Sequence, residues 1–197
     1  MSRETDLRVV KTKKLIRDAL VSLIAEKGFD SVTVNDIAGR AQINRSTFYL
    51  HYTDKYELLE TITAEITGKL MALITPAAHV QGGLLGVGDL TRDLEKILAA
   101  IAEDALFYQI MLSGRGVHSF RFDLGNLLKQ KLDEGFREQP LISKDLFVEL
   151  LSSLYLGAIA WWLDNGMKYS PAFMAGQLVQ LMTMGPAKVS GLVSGQI

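Results

Sequence analysis

Between Leu7 and Lys27 the apolar residues Ile16, Ala19, Leu20, Leu23 and Ile24 recur at i, i+3, i+4, i+7 and i+8, which predicts one helix with a single buried stripe. Gly28 follows as its stop. Thr33-Val34-Asn35-Asp36 is a hydroxyl-x-x-acid capping pattern and opens a helix of about two turns that carries Val34, Ile37, Ala38 and Ala41 inward. Gln42-Ile43-Asn44 forms a tight connection, with Asn44 as N-cap of a second short helix, Arg45–Tyr52, whose Phe48 and Tyr52 face the core. Two short helices joined by so brief a turn have helix-turn-helix geometry.

Asp54, with Glu57 three residues on, caps a longer helix bearing Leu58, Leu59, Ile62, Ile66, Leu70 and Leu73, which runs to Pro76. Residues 75–88 hold Gly82, Gly83, Gly86 and Gly88 and are expected to form a weakly ordered connection. Leu90, Leu94, Ile97, Leu98 and Ile101 form the next stripe, continued or broken near Asp104 into residues 106–112. Further helices follow at residues 120–136 and 143–165, and Ser170-Pro171 supplies an N-cap and a proline at N1 for the last, which Gly185-Pro186 ends. No strand alternation stands out, so the expected class is all-α with antiparallel neighbours. The expected organisation is a three-helix head over residues 1–56, a larger helical domain over 57–185, and a flexible tail over 186–197.

Composition narrows the chemistry. The 197 residues contain no cysteine and three histidines, which excludes a disulfide framework and a Cys-ligated zinc site and leaves little for a His-based metal site. No nucleophile-base pairing is visible, and Gly82–Gly88 does not follow a strand, so it is not a nucleotide fingerprint. Neither an enzyme nor a cofactor is expected. The charge-free windows 70–88 and 169–187 are interrupted by proline, glycine and glutamine and do not read as membrane helices, and no signal peptide is visible, so a cytoplasmic location is expected. Charge is uneven. Residues 1–56 carry 10 Lys+Arg against 7 Asp+Glu, a net of +3, leaving 11 against 15, a net of −4, for the rest. Arg8, Lys11, Lys13, Lys14 and Arg17 crowd into ten positions, either as a solvated face or as a means of neutralising a phosphate backbone.

The stretch from Gly28 to Leu59 closely resembles the DNA-binding segment of the tetracycline-repressor (TetR/AcrR) family of bacterial transcriptional regulators. The likeness is carried by Gly28-Phe29, Thr33, Ile37-Ala38, Ala41, Thr47-x-Tyr49-x-His51-Tyr52 and Lys55. Where the family's commonest turn reads Gly-Val-Ser, this chain has Gln42-Ile43-Asn44, and glutamine's lack of preference for positive φ predicts a slightly different turn. Beyond Leu59 the resemblance is architectural, with the last two long helices similar to the family's dimerisation pair.

The resemblance implies a helix lodged in the major groove, presenting its first turn and outward face, with Asn44, Arg45, Ser46 and Thr47 at the DNA. The Arg45 guanidinium suits guanine O6 and N7, with a phosphate contact as the alternative. Tyr49 and His51 match family positions that touch phosphate, and an inter-helix hydrogen bond is open for His51. Lys55, in the first turn of its helix, and Thr33 are candidate phosphate anchors, Thr33 having plain capping as an equal reading. Phe107, Tyr108, Met111, Phe120, Phe122, Phe136, Tyr155, Trp161 and Trp162 are either core or the lining of an effector site, and Phe107, Tyr108, Met111, Phe122, Tyr155, Trp161 and Trp162 are taken as candidate ligand contacts. The apolar excess of the last two helices predicts a homodimer through Leu150, Leu154, Ala158, Met174, Leu178 and Leu181. The expected function is a ligand-responsive homodimeric repressor of a pseudo-palindromic double-stranded operator, released by a small, largely apolar effector. The alternative is a co-regulator of the same fold that acts through a partner protein and binds DNA weakly.

Overall fold

The apolar stripes fold as the helices their spacing requires. In the computed structural model, which describes residues 3–81, 84–113, 120–135 and 141–192, the elements are α1 (Arg3–Lys27), α2 (Val34–Arg40), α3 (Arg45–Tyr49), α4 (Lys55–Leu73), a 3-10 turn (Pro76–His79), β1 (Val80–Gln81), β2 (Leu84–Leu85), α5 (Val87–Glu103), α6 (Ala105–Leu112), α7 (Phe120–Gly135), α8 (Lys144–Asp164) and α9 (Pro171–Val189). Among the described residues the chain is all-α save for one small antiparallel ladder, with Val80 opposite Leu85 and Gln81 opposite Leu84. Phe136, named above, lies outside the described residues.

The chain divides into two compact units. The first comprises Met1–Lys69 and Leu106–Leu124. Its buried side chains include Ile16, Leu20 and Ile24 of α1, Ile37 of α2, Phe48 of α3 and Leu58 and Ile62 of α4. From α6 and the start of α7 it takes an aromatic cluster in which Phe107 meets Phe120 edge-on, centroids 5.5 Å apart, and Tyr108 at 5.7 Å. Edge-to-face packing of this kind adds to the burial of the rings themselves.

The second unit comprises Leu70–Ala105 and Gly125–Ile197. Here α5 packs along α9, burying Leu90, Leu94, Leu98 and Ile101 from one helix and Met174, Ala175, Leu178 and Val179 from the other. By length and composition α8 is apolar enough to cross a bilayer. Its Val148, Leu151, Tyr155, Leu156, Trp162 and Leu163 are buried in the unit, as in a core helix. It ends in a two-bond stop: Gly166 N–H donates to Leu163 O at 3.0 Å and Met167 N–H to Trp162 O at 2.9 Å, with Gly166 and Met167 both at positive φ. Ser170 then caps α9, its hydroxyl accepting from the Phe173 N–H, with Pro171 at the first position.

Two connections contain the proline and glycine residues that the sequence marks. The segment before α5 is built around His79, whose carbonyl accepts from Gly86 N–H at 2.7 Å and whose ring Nε2 lies 2.9 Å from Asp93 Oδ2. Lys96 and then His79 hold the Asp93 carboxyl below its usual range. Gly82 and Gly83 of this connection lie outside the described residues. Gly185, at φ 77°, breaks α9 as predicted, but Pro186 starts one more helical turn to Val189. Residues 193–197 of the predicted tail lie outside the described residues.

Candidate nucleic-acid interface

Neither short helix of the head is long enough to be stable alone, and α2 is fixed at both ends by polar bonds. At the start of α2 the Thr33 hydroxyl accepts from Asp36 N–H at 3.2 Å while Asp36 Oδ2 takes the Thr33 N–H at 2.8 Å, a complete capping box. Lys27 Nζ joins the same oxygen at 2.9 Å. The Thr33 hydroxyl first and Lys27 next hold the Asp36 carboxyl well below the ordinary carboxylate range. From α2, Arg40 reaches back to α1 and grips Glu26 with both guanidinium nitrogens at 2.7 Å. Two of the head's cations, Lys27 and Arg40, therefore face carboxylates of the head itself.

The turn into α3 corrects the expectation for Gln42. It sits at φ 55°, the left-handed conformation glycine adopts most readily. The cause is the helix stop: Gln42 N–H donates to Gly39 O at 3.2 Å and Ile43 N–H to Ala38 O at 3.0 Å, a pairing that requires a left-handed residue between them. Asn44 occupies the N-cap with extended backbone, yet its side chain makes no capping bond, so it is exposed and uncommitted. The helix proper ends at Tyr49, three residues earlier than the pattern predicted, and Phe48 is its buried residue.

Along α3, Arg45, Ser46, Tyr49 and Leu50 are exposed and Thr47 half-exposed. The Tyr49 hydroxyl accepts from Arg45 Nη2 at 3.0 Å and Nε at 3.3 Å, which pins the guanidinium along the helix surface. His51 is half-buried beside the Tyr52 ring, centroids 6.4 Å apart, and its backbone N–H closes the end of α3 on Phe48 O.

Lys55 is placed differently from the phosphate anchor expected of it. Its ammonium donates to three carbonyls of the α1–α2 connection, Phe29 O at 3.0 Å, Asp30 O at 2.9 Å and Val32 O at 2.8 Å, and lies 4.8 Å from the centre of the Phe29 ring. A lysine has three N–H donors, so none remains for a phosphate. Lys55 instead clamps the start of α4 to the turn that sets the position of α2. Nothing in its sequence neighbourhood distinguishes the two roles, since the carbonyls that bind it lie more than twenty residues away.

Residues 16–62 match the family described as bacterial regulatory proteins, tetR family, and residues 89–184 match its transcriptional regulator C-terminal region. This chain belongs to the TetR family of transcriptional regulators. It is 26% identical over 196 residues to the HTH-type transcriptional regulator YxbF of Bacillus subtilis, covering 95% of this chain and 48% of that protein. It is 29% identical over 81 residues to SrpR of Pseudomonas putida, covering 41% of this chain and 38% of that one. The chain spans about half the length or less of these two curated relatives. Among solved structures, the fatty acid degradation regulator FadR from Bacillus halodurans shares the fold with a TM-score of 0.61 at 22% identity, covering 88% of this chain and 95% of that one. A TetR transcriptional regulator from Streptococcus agalactiae 2603V does so at 0.58 and 24%, covering 90% and 96%. Both matched regions are those of transcriptional regulators.

The other residues singled out in this TetR-family chain fall in distinct places. Leu150 is 55% exposed and Leu154, Ala158 and Leu181 are half-buried, whereas Met174 and Leu178 are buried inside their own unit. The α9 stripe visible in the sequence is therefore the core-facing one. The exposed stripe of α9 is Phe173, Gln177, Gln180 and Met184, and α8 exposes Leu146, Leu150, Ser153, Gly157 and Trp161, with Glu149 and Asp164 also exposed on that helix. Phe107, Tyr108 and Met111 are buried in the first unit and Tyr155 in the second. The Tyr155 hydroxyl meets Met182 Sδ at 2.8 Å, and burial pushes it up to about 12. Phe122 is 69% exposed on α7, and Trp161 is exposed beneath Lys168, whose Nζ lies 5.1 Å from its ring. Trp162 is core, its Nε1 donating to Tyr169 O at 2.9 Å across the helix stop. These three are thus surface or packing residues, because an aromatic at helical spacing looks the same in sequence on either face.

Proposed function

We propose that this regulator is a homodimeric repressor that inserts α3 into the major groove of each half of a pseudo-palindromic operator and is released by a small, largely apolar effector. The reading is carried by the outward face of α3, where Arg45, Ser46, Thr47 and Tyr49 stand clear of the core while Phe48 anchors the helix. Arg45 is assigned to a guanine edge, and its bond to Tyr49 supports that role by limiting where the fork can point. Asn44, Ser46 and Thr47 lie at the helix start beside the bases. Tyr49 and His51 are assigned to phosphate, and Arg8, Lys11, Lys13 and Lys14, exposed along the first turns of α1, to flanking phosphates. Lys55 and Thr33 hold these groups in position.

The exposed Leu146, Leu150 and Trp161 of α8 and Phe173 and Met184 of α9 support dimerisation, since several exposed apolar side chains on two helices are costly in water and a copy related by a two-fold axis covers them. A dimer then presents two reading helices, whose half-sites are expected about 34–36 Å apart or at a multiple of that spacing. An effector needs to supply only about 1.4 kcal/mol of coupling for each tenfold loss of affinity. Phe107, Tyr108 and Met111 in the first unit and Tyr155 in the second are the buried side chains against which to seek it. A cytoplasmic location follows from a role on DNA.

The deciding experiment measures binding of the purified protein to duplex DNA across a salt series. Affinity that falls linearly on a log–log plot and prefers an inverted repeat supports the repressor. Weak binding without sequence preference supports instead a co-regulator acting through a protein partner, a reading favoured by the internal pairing of Lys27 and Arg40.

A further inference from the structure

An α-helix advances about 100° per residue, so with Phe48 fixed on the core, Ser46 and Leu50 stand about 160° and 200° away, opposite the buried side. Arg45 and Tyr49 fall to one flank, at about 60° and 100°, and are bonded to each other there. Leu50 keeps helical dihedrals, φ −72° and ψ −18°, and its N–H donates to Ser46 O at 3.2 Å, so its side chain continues the line that Ser46 begins. It is 80% exposed. The most outward line of the helix therefore consists of one small hydroxyl and one branched apolar side chain, and the cation lies to the side.

A lone exposed leucine is ordinary on a protein surface. One at the outermost line of a groove-reading helix is not neutral toward sequence. Against a cytosine amino group or a purine edge it removes water from polar atoms and offers no hydrogen bond in return. The major groove has one apolar feature, the C5-methyl of thymine. We infer that Leu50 is a specificity-determining residue that packs on the methyl group of one thymine in each half-site. The inference rests on the placement of α3 in the major groove proposed above and adds a base preference to it.

The test uses the purified full chain and a pool of random-sequence duplexes. The selected duplex is remade with deoxyuridine replacing thymine one position at a time, which deletes the methyl group and keeps every hydrogen-bonding atom. The expected result is one position per half-site at which the wild-type protein loses about fourfold in affinity, equal to the ~0.8 kcal/mol of one buried methyl. Leu50→Ala should bind the two duplexes alike at that position while melting at the wild-type temperature, because the side chain is exposed. A selected site lacking thymine, a wild-type protein indifferent to every uridine, or a methyl effect undiminished in Leu50→Ala overturns the inference. If the pool enriches but no methyl matters, the assignment of Leu50 alone fails. If nothing enriches, the groove placement of α3 fails and takes this inference with it.

Discussion

The head and the α8–α9 pair use opposite means to the same end. In the head, α2 is held by a capping box, a bidentate Arg40–Glu26 pair and a lysine clamped on the three carbonyls before it, and α3 by buried Phe48, while the side chains turned outward on α3 are left available. In the α8–α9 pair the helices are long, their buried faces carry Tyr155, Trp162, Met174 and Leu178, and Leu146, Leu150, Trp161, Phe173 and Met184 stand exposed among polar residues. Position in the head depends on polar geometry and on protonation. Position in the pair depends on buried area. In the proposed function the contrast separates recognition, which tolerates no slack of an ångström, from assembly, which needs mainly a broad complementary surface.

The sharpest break in that comparison is a charge on the outer face of the pair. Leu150→Asp is expected to convert dimer to monomer in sedimentation and, by removing the second reading helix, to weaken operator binding about 10²-fold or more. Leu178→Ala, on the buried face of α9, should leave the dimer intact and lower stability by about 2–5 kcal/mol, the cost of a core cavity. Dimers from both variants would place the interface elsewhere.

In the head, Lys55→Met should destabilise the fold by about 1–3 kcal/mol through the carbonyls left without a donor. The salt dependence of DNA binding should keep its slope, whereas loss of a phosphate contact would reduce that slope by about one charge. Arg45→Ala should cost about 1–3 kcal/mol of discrimination at one base per half-site with stability unchanged. An unaltered base preference would leave Arg45 a phosphate contact only.

Acid tests the head's dependence on protonation. With the folded-state carboxyl of Asp36 held below its ordinary value, the stabilisation it gives is complete above about pH 4 and is lost as pH falls toward the lowered value. Asp36→Asn should lower the melting temperature at neutral pH and flatten its dependence between about pH 5 and 3. The smallest effect is expected at Gln42→Gly, which relieves a left-handed glutamine but loosens the unfolded chain, for a gain of up to about 1 kcal/mol.

Much of this was legible in the residues themselves. The α1 stripe, the Thr33–Asp36 box, the Ser170-Pro171 cap and the break at Gly185 are local, and local rules find them. The three-carbonyl clamp of Lys55 was not, because its partners are remote in sequence and are backbone atoms that any residue would supply. The left-handed Gln42 was not, because hydrogen bonds of the helix stop override the preference of the side chain. On α9 the pattern showed a stripe but not which side it faced, since inner and outer faces both lack charge. Burial of Met174 and Leu178 resolves that ambiguity. The His79–Asp93 contact was not legible either, because the two residues lie fourteen positions apart.

The central claim is that α3 reads a duplex and that a two-fold copy reads it again. Its most direct test is selection by the purified protein from random-sequence duplexes, with Arg45→Ala alongside. The account predicts an inverted repeat with half-site centres about 34–36 Å or a multiple apart, and one base in each half that loses its preference in the variant. Enrichment of a single unrepeated site, or of nothing, would contradict it.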